Sequence, residues 1–274
     1  MTTPVIAQYF YIQDENARTW DVKFRNDIPY TRLTRLYIAF GWLKNGRLTY
    51  GDTSNPDAAT RVKALTAACR ATNPAAEVFI SSGYDDGTMY KEAANNPTAF
   101  ANSVVEFLRD NNLDGYDMDW ENGLDMQAMN SLLKATRVAL DAASKIDQRR
   151  YHLTFATWPF VQSAYDIKAM AETLDAINVM SYGRLRDLGS IVDEYTNAGF
   201  PANKIIGGID TEVGYREEGG EDTLGPDGTI AQKAAYARNN GLAGMMSWRL
   251  DNDYVENGIS TYQGALQLYA SMTE

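Results

Sequence analysis

The feature that most constrains the fold of this chain is a repeated alternation between short apolar β-type runs and helical patterns. Eight runs have the length and the β-branched or aromatic content of buried strands. They are Val5–Ile12, Arg35–Gly41, Glu77–Ser82, Gly115–Glu121, His152–Thr157, Ala176–Tyr182, Lys204–Ile209 and Gly244–Trp248. Strands that alternate with helices are parallel and are joined by right-handed crossovers. Eight such units within 274 residues predict an α/β fold, a single (β/α)8 TIM barrel.

Helical patterns fill most of the intervals between these runs. Two of them open with Asn followed by Pro, which places a capping side chain before the first helical position. The predicted helices run from Asn55 to about Arg70, onward from Asn96, and over Asp125–Lys145, Tyr165–Leu174, Ile191–Ala198, Ile230–Arg238 and Gly264–Met272. The segment from Asp14 to Thr34 lacks a 3.6-residue period, and we expect an irregular connection there.

The chain reads as one domain over residues 1–274, without a linker or a low-complexity tract. Only about 30 residues separate the seventh and eighth predicted strands, so we expect no sizeable inserted domain. No apolar run reaches the roughly 18 residues that cross a bilayer, so we expect no membrane partner. We also expect no signal peptide, because no basic segment is followed by an apolar stretch at the start. Cellular location therefore stays open, and action outside the cell is compatible with the sequence.

Charge and rare residues restrict the chemistry. The net charge of −11 disfavours binding to phosphate backbones, so we expect no nucleic acid partner. Cys69 and His152 are the only cysteine and histidine, which excludes an intrachain disulfide and a Cys/His zinc site. A Ser-His-Asp mechanism would have to use His152. This residue begins the fifth predicted strand, at the barrel end opposite to that where active sites lie.

The stretch Leu113–Asn122 carries the candidate chemistry. Asp117, Asp119 and Glu121 are two residues apart, so on a strand their carboxylates share one face. The intervening side chains face the other way: Tyr116, Met118 and Trp120. Carboxylates this close raise one another's pKa, as a general acid requires. A solvated acidic loop is the competing interpretation, but alternation with large apolar residues favours a strand.

These residues also carry a resemblance to a known family. The pattern Asp-Gly-x-Asp-x-Asp-Trp-Glu, from Asp114 to Glu121, resembles the signature of glycoside hydrolase family 18, the chitinases and their relatives. Three more segments are similar to the third, sixth and eighth strands of that family: Phe79–Tyr84, Asp175–Tyr182 and Gly244–Trp248. The sequence departs from the family pattern at Tyr84, where a second Gly is typical, and at Gly183, where an Asp is common.

The resemblance implies the reaction and the residues that perform it. It implies a retaining chitinase that cleaves β-1,4-linked N-acetylglucosamine by substrate-assisted catalysis, outside the two-carboxylate scheme. Glu121 is then the proton donor, Asp119 binds the acetamide N–H, and Asp117 shares a proton with Asp119. Tyr182 is expected to aim the acetamide oxygen, and Trp248 to stack beneath the sugar. Neither a metal nor a cofactor is required.

Further substrate-binding residues are predicted beside these. Met180 and Asn178 alternate with the same period as Tyr182 and so share the barrel interior with the acids. The resemblance to the third strand of the family implies that Gly83 and Tyr84 line the site. Tyr9, Phe40 and Trp158 are candidates because they fall near the ends of predicted strands. Core packing is the competing interpretation for Trp248 and for the Met180–Tyr182 pair.

Two alternative functions stay open beside the chitinase. One is an endo-β-N-acetylglucosaminidase that acts on the chitobiose core of N-glycans, and the other is a lectin or inhibitor that uses the same barrel without catalysis. The Trp after Asp119 and the Met-x-Tyr pair favour chitin, and the presence of all three acids favours an enzyme. The expected partner is chitin or a chito-oligosaccharide, bound by a monomer.

Overall fold

A computed structural model of the chain describes residues 3–13, 27–50, 57–83, 87–184, 186–212 and 220–274. Its strands are β1 Val5–Tyr11, β2 Arg35–Lys44, β3 Arg47–Thr49, β4 Glu77–Ser82, β5 Gly115–Asp119, β6 His152–Thr157, β7 Ala176–Val179, β8 Ile205–Asp210, β9 Gly244–Trp248, β10 Val255–Glu256 and β11 Ile259–Ser260. Its helices are α1 Ala58–Thr72, α2 Thr88–Ala94, α3 Pro97–Asp110, α4 Met126–Asp147, α5 Ile167–Thr173, α6 Leu188–Asn197, α7 Thr229–Asn239 and α8 Gln263–Thr273.

The strands close into a parallel barrel. The order along the sheet is β1-β9-β8-β7-β6-β5-β4-β2-β3, and β1 also pairs with β2, which completes the ring. Closure aligns Tyr9 with Tyr37 on β2, and Ile6 with Met245 on β9. Among the described strands of this sheet, β3 alone runs antiparallel, as a short extension of β2. The predicted (β/α)8 barrel without a sizeable insertion is confirmed.

Helix starts follow the capping chemistry of the sequence. At α3, the Asn96 side chain accepts a hydrogen bond from the backbone N–H of Ala99 at 3.1 Å, and Pro97 occupies the first turn. At α4, the Asp125 side chain accepts from the N–H of Ala128 at 2.8 Å. Each helix then buries an apolar stripe against the barrel, which fixes its direction across the strands.

The apolar core has two layers, and β5 lies between them. Tyr116 and Met118 point outward into the layer between the barrel and its helices, while Asp117 points inward. A second cluster fills the barrel interior and includes Tyr9, Tyr37, Phe40, Phe79, Ile206 and Met246. The period of two along β5 therefore separates the apolar side chains from the acids, as the sequence predicts.

Two strands end earlier than the sequence suggests. β5 ends at Asp119 and β7 at Val179, whereas strands to Glu121 and Tyr182 are predicted. The last ladder partners are Ala156 for Asp119 and Gly207 for Val179. Beyond them the backbone turns away: the N–H of Ser181 bonds to Val179 O at 2.8 Å instead of to a neighbouring strand. Glu121 and Tyr182 consequently stand on the loops above the barrel.

Other boundaries differ by a few residues. β2 continues past Gly41 to Lys44 because it forms a hairpin with β3, and α2 was not predicted because it spans only seven residues. The predicted cap at Asn55 and Pro56, and most of the Asp14–Thr34 connection, lie outside the described residues. No described helix is long and apolar enough to cross a membrane.

Candidate active site

Asp117 is the deepest acid of the site and is fully buried. Its Oδ2 accepts hydrogen bonds from Tyr9 Oη at 2.9 Å and Ser81 Oγ at 2.7 Å. Its Oδ1 accepts from Thr154 Oγ1 at 2.6 Å and Asn178 Nδ2 at 3.0 Å. Burial raises the pKa of Asp117, although these four donors stabilise the charged form and act in the opposite direction.

Asp119 lies one interior position further toward the carboxyl ends of the strands. The side chain is 5 % exposed, and burial together with the charges of Glu121 and Asp117 raises its pKa well above the usual range. Its Oδ1 is buried and finds no hydrogen-bond donor among the described residues. A buried acceptor of this kind is costly unless a partner arrives, so Asp119 is ready to accept a hydrogen bond from a ligand.

Glu121 completes the row at the barrel opening, where it is partly exposed. Its backbone O accepts a hydrogen bond from Trp158 Nε1 at 2.9 Å, which joins the loops after β5 and β6. The charge of Glu121 contributes to the raised pKa of Asp119, so the two carboxyls interact. Exposure therefore increases from Asp117 through Asp119 to Glu121, and only the last reaches solvent readily.

The signature tryptophan faces away from these acids. Trp120 is fully buried in the outer layer, where its ring stacks on Tyr90 at 4.8 Å between centroids. Its Nε1 donates to the backbone O of Asn122 at 2.7 Å. Trp120 thus anchors the loop that carries Glu121 instead of contacting the barrel interior, as the alternation along the strand predicts.

An aromatic wall, formed by Tyr9, Tyr37, Phe40 and Trp248, lines the barrel along β1, β2 and β9. The Tyr9 and Tyr37 rings stack at 4.5 Å, and Trp248 stacks on Phe40 at 5.7 Å. The Trp248 and Tyr9 rings are 5.8 Å apart and tilted by 56°. Tyr9 also bonds to Asp117, so the wall and the acid row are directly joined.

Tyr182 and Met180 are partly buried and pack against the interior cluster. Space for Tyr182 comes from Gly208 on β8: a Cβ there would lie 3.0 Å from the Tyr182 ring and 2.5 Å from Val179 O. No role is predicted for Gly208 from the sequence. The need for a glycine at this position follows only from the pairing of β7 with β8.

A buried ion pair holds the turn that carries Tyr182. Lys233 Nζ lies 2.7 Å from Asp222 Oδ1 and also donates to Ser181 O at 2.5 Å. Asp222 Oδ2 accepts the backbone N–H of Gly183 at 2.9 Å. Burial lowers the pKa of Lys233, with Asp222 acting in the opposite direction. The turn after β7 is therefore fixed from both sides, and Gly183 takes a positive φ of 57° within it.

The remaining predicted site residues are placed as follows. Gly83 lies where a Cβ would be 3.1 Å from the Trp42 ring and 3.5 Å from Phe40, so it lets β4 approach the aromatic wall. Trp158 stacks on Phe160 at 6.0 Å beside the Glu121 loop. Tyr84 lies outside the described residues.

Some residues of the site were not predicted. Thr154 and Ser81 both donate hydrogen bonds to Asp117. Thr154 was not named from the sequence, and Ser81 was named only as a match to the third strand of the family. Both are register partners of Asp117 on the flanking strands β4 and β6. The alternation of side chains along β4 and β6 predicts that Ser81 and Thr154 face the barrel interior. Only the strand register shows that they lie level with Asp117.

Fold and site together define a class of protein: a (β/α)8 barrel of the glycoside hydrolase type, with carboxyls and aromatic rings at the carboxyl ends of its strands. The family model "Glycosyl hydrolases family 18" matches residues 6–220. The chain belongs to this family, which confirms the resemblance predicted from the sequence.

Relatives and solved structures agree with this assignment. The chain is 33% identical over 159 residues to Chitinase A1 of Niallia circulans, covering 52% of this chain and 23% of that protein. It spans between 23% and 55% of the length of this and two further curated relatives.

Its fold matches a class V chitinase mutant from Nicotiana tobaccum in complex with NAG4, with a TM-score of 0.80, 18% identity and 99% of both chains covered. It also matches the chitinase-like agglutinin RobpsCRA from Robinia pseudoacacia, with a TM-score of 0.77, 20% identity and coverage of 98% and 99%.

Proposed function

We propose that this chain hydrolyses β-1,4-linked N-acetylglucosamine polymers or oligomers with retention, by substrate-assisted catalysis. The observation that carries the proposal is the row of acids Asp117, Asp119 and Glu121, in which the buried Asp119 Oδ1 lacks a donor among the described residues. Membership in family 18 and relatives named as chitinases support it.

Glu121 is the proton donor in this mechanism because it stands at the barrel opening. It protonates the glycosidic oxygen as the bond to the anomeric carbon breaks. The acetamide oxygen of the same sugar attacks that carbon and forms an oxazolinium ion. Water then attacks the anomeric carbon, its proton passes to the Glu121 carboxylate, and the acetamide is restored. Two displacements at one carbon give retention of configuration.

Asp119 accepts the acetamide N–H at its Oδ1 and stabilises the positive charge of the oxazolinium ion. Asp117 keeps the pair from carrying two full charges, because a proton shared between them lowers the repulsion. The four donors to Asp117 fix the position of its carboxyl. Tyr182 holds the acetamide oxygen, and the Trp248 ring packs against the C–H groups of the sugar.

A single substitution tests the assignment. We expect Glu121→Gln to reduce kcat on chitotetraose by about 10³-fold, in the range of general acid catalysis, while binding of chitotetraose is retained. Turnover is measured by product chromatography, and affinity by calorimetry. Glu106→Gln is the matched control, because Glu106 lies at the surface in an ion pair with Arg47. Full activity of Glu121→Gln would remove Glu121 from the mechanism.

The same assays separate the alternative functions. Release of glycans from a high-mannose glycoprotein, without products from colloidal chitin, would indicate an endo-β-N-acetylglucosaminidase. Binding of chitotetraose by the unsubstituted chain without any hydrolysis would indicate a lectin or inhibitor.

A further inference from the structure

The indole N–H of Trp248 already donates a hydrogen bond within the protein. Its Nε1 donates to Glu212 Oε2 at 2.8 Å, and Glu212 is buried at 4 % exposure. The indole has one hydrogen-bond donor, so none is left for a ligand in this arrangement. Trp248 can therefore contact a sugar only through the apolar surface of its ring.

Glu212 is itself held in place by several groups. Its Oε1 accepts from Arg249 Nε at 2.7 Å and from Asn252 Nδ2 at 2.9 Å. Its backbone N–H donates to Asp210 Oδ1 at 2.8 Å, and Glu212 also forms a β-bridge with Asp253. A charged acceptor fixed on this many sides is a rigid partner for the indole N–H.

The opposite part of the indole is fixed by packing. Phe40 stacks on it with planes 25° apart, and Tyr11 meets it edge-on at 6.1 Å between centroids. The Arg249 guanidinium lies 4.6 Å from the centre of the Tyr11 ring, so the same arginine joins Glu212 to the aromatic side. Rotation of the indole would leave the buried Glu212 carboxylate short of one donor, which is costly.

We propose that Glu212 is a positioning residue that fixes the orientation of the Trp248 ring and thereby determines how strongly the site binds an N-acetylglucosamine unit. The proposal rests on the proposed function for its ligand. Glu212 makes no contact with the sugar in this view. It acts through the indole, and its loss disorders a platform that remains chemically intact.

A double-mutant cycle tests this coupling in the Glu121→Gln background, which removes turnover. We expect Glu212→Gln to weaken chitotetraose binding about tenfold. Three N–H donors converge on the Glu212 carboxylate, from Trp248, Arg249 and Asn252. The amide N–H2 of a Gln would face at least one of them and could not accept its hydrogen bond. In a Trp248→Phe background the same change should alter the affinity less than about twofold, because the N–H that Glu212 anchors is absent. Equal losses in both backgrounds would overturn the proposal.

Asn252→Ala is a second variant that keeps the carboxylate and removes one of its partners. We expect a smaller loss of affinity, about threefold, which also disappears with Trp248→Phe. Glu106→Gln, a surface change, should leave the affinity unchanged. Unchanged affinity in both Glu212→Gln and Asn252→Ala would also overturn the proposal, as would a loss for Asn252→Ala that persists without Trp248.

A measurement without ligand keeps this proposal separate from the proposed function. The fluorescence of Trp248 is obtained as the difference between the unsubstituted protein and Trp248→Phe, since the chain has five tryptophans. We expect Glu212→Gln to change the emission and the acrylamide quenching of that component. If Glu121→Gln does not bind chitotetraose, the proposed function is contradicted, but the role of Glu212 is not. The quenching result then decides that role, and unchanged quenching in Glu212→Gln would overturn it.

Discussion

Asp117 shows how a single residue is tuned by its surroundings. Four donors from β1, β4, β6 and β7 converge on one carboxyl, yet burial still raises its pKa. Desolvation of the charged form thus exceeds the stabilisation by the hydrogen bonds. Asp117 lies one interior position away from Asp119, and its charge contributes to the raised pKa of Asp119.

The first prediction concerns Asp117→Asn and the pH dependence of activity. The charge of Asp117 raises the pKa of Asp119, so its removal lowers the pKa of Asp119. Activity is lost at low pH as Asp119 takes up a proton, and the acid limb of the kcat profile therefore moves to lower pH. We also expect kcat to fall at least about tenfold, because the Asn amide confronts donors such as Thr154.

Profiles recorded between pH 3 and 9 on a chito-oligosaccharide measure both effects. Asp125→Asn, at the cap of α4, is the control and should leave the acid limb in place. An acid limb of Asp117→Asn that stays or moves to higher pH would contradict the assigned interaction.

At the scale of elements, the site depends on close contact between neighbouring strands. Gly115 on β5 leaves room for Phe79, whose ring would lie 2.6 Å from a Cβ at that position. Gly208 on β8 does the same for Tyr182. In both cases the missing side chain lets a large aromatic ring pack within or against the interior cluster.

Gly208→Ala should therefore displace Tyr182. We expect kcat/KM on chitotetraose to fall at least about tenfold, because small displacements of positioning groups have large effects on rate. Asn96→Ala is the stability control: it removes the α3 cap at a cost of about 1 kcal/mol, far from Tyr182, and should leave kcat/KM unchanged. Wild-type kcat/KM in a folded Gly208→Ala protein would contradict the prediction that a Cβ at this position displaces the Tyr182 ring.

At the scale of the whole molecule, the two ends of the barrel have different roles. The amino-terminal end carries ion pairs, among them Glu77 with Arg35 at 2.6 Å, and His152 Nε2 lies 3.0 Å from Glu77 Oε1. Because His152 contacts Glu77 there, it lies at the end predicted from its position at the start of a strand. Burial acts to raise the pKa of Glu77, but the hydrogen bond from His152 and the charge of Arg35 outweigh it and hold the pKa at about 2.

This ion-pair network predicts how stability depends on pH. The pKa of Glu77 is lower in the folded than in the unfolded chain, so its contribution is present above about pH 4.5 and is lost as the pH falls toward 2. Glu77→Gln should lower Tm at pH 7 by at least about 2 °C and flatten the decrease in Tm between pH 5 and 2. Asp141→Asn, at an exposed ion pair, is the control. A parallel shift of Tm at every pH would contradict the assignment to Glu77 ionisation.

The sequence by itself determined the order of strands and helices and the inward direction of Asp117 and Asp119. These properties follow from local periodicity, which neighbouring residues in the chain fix among themselves. Only the tertiary structure decided which distant groups meet: Asn178 with Asp117, Glu212 with Trp248, and Gly208 with Tyr182. Such pairs depend on strand register and on closure of the ring, which are set by packing across the whole barrel.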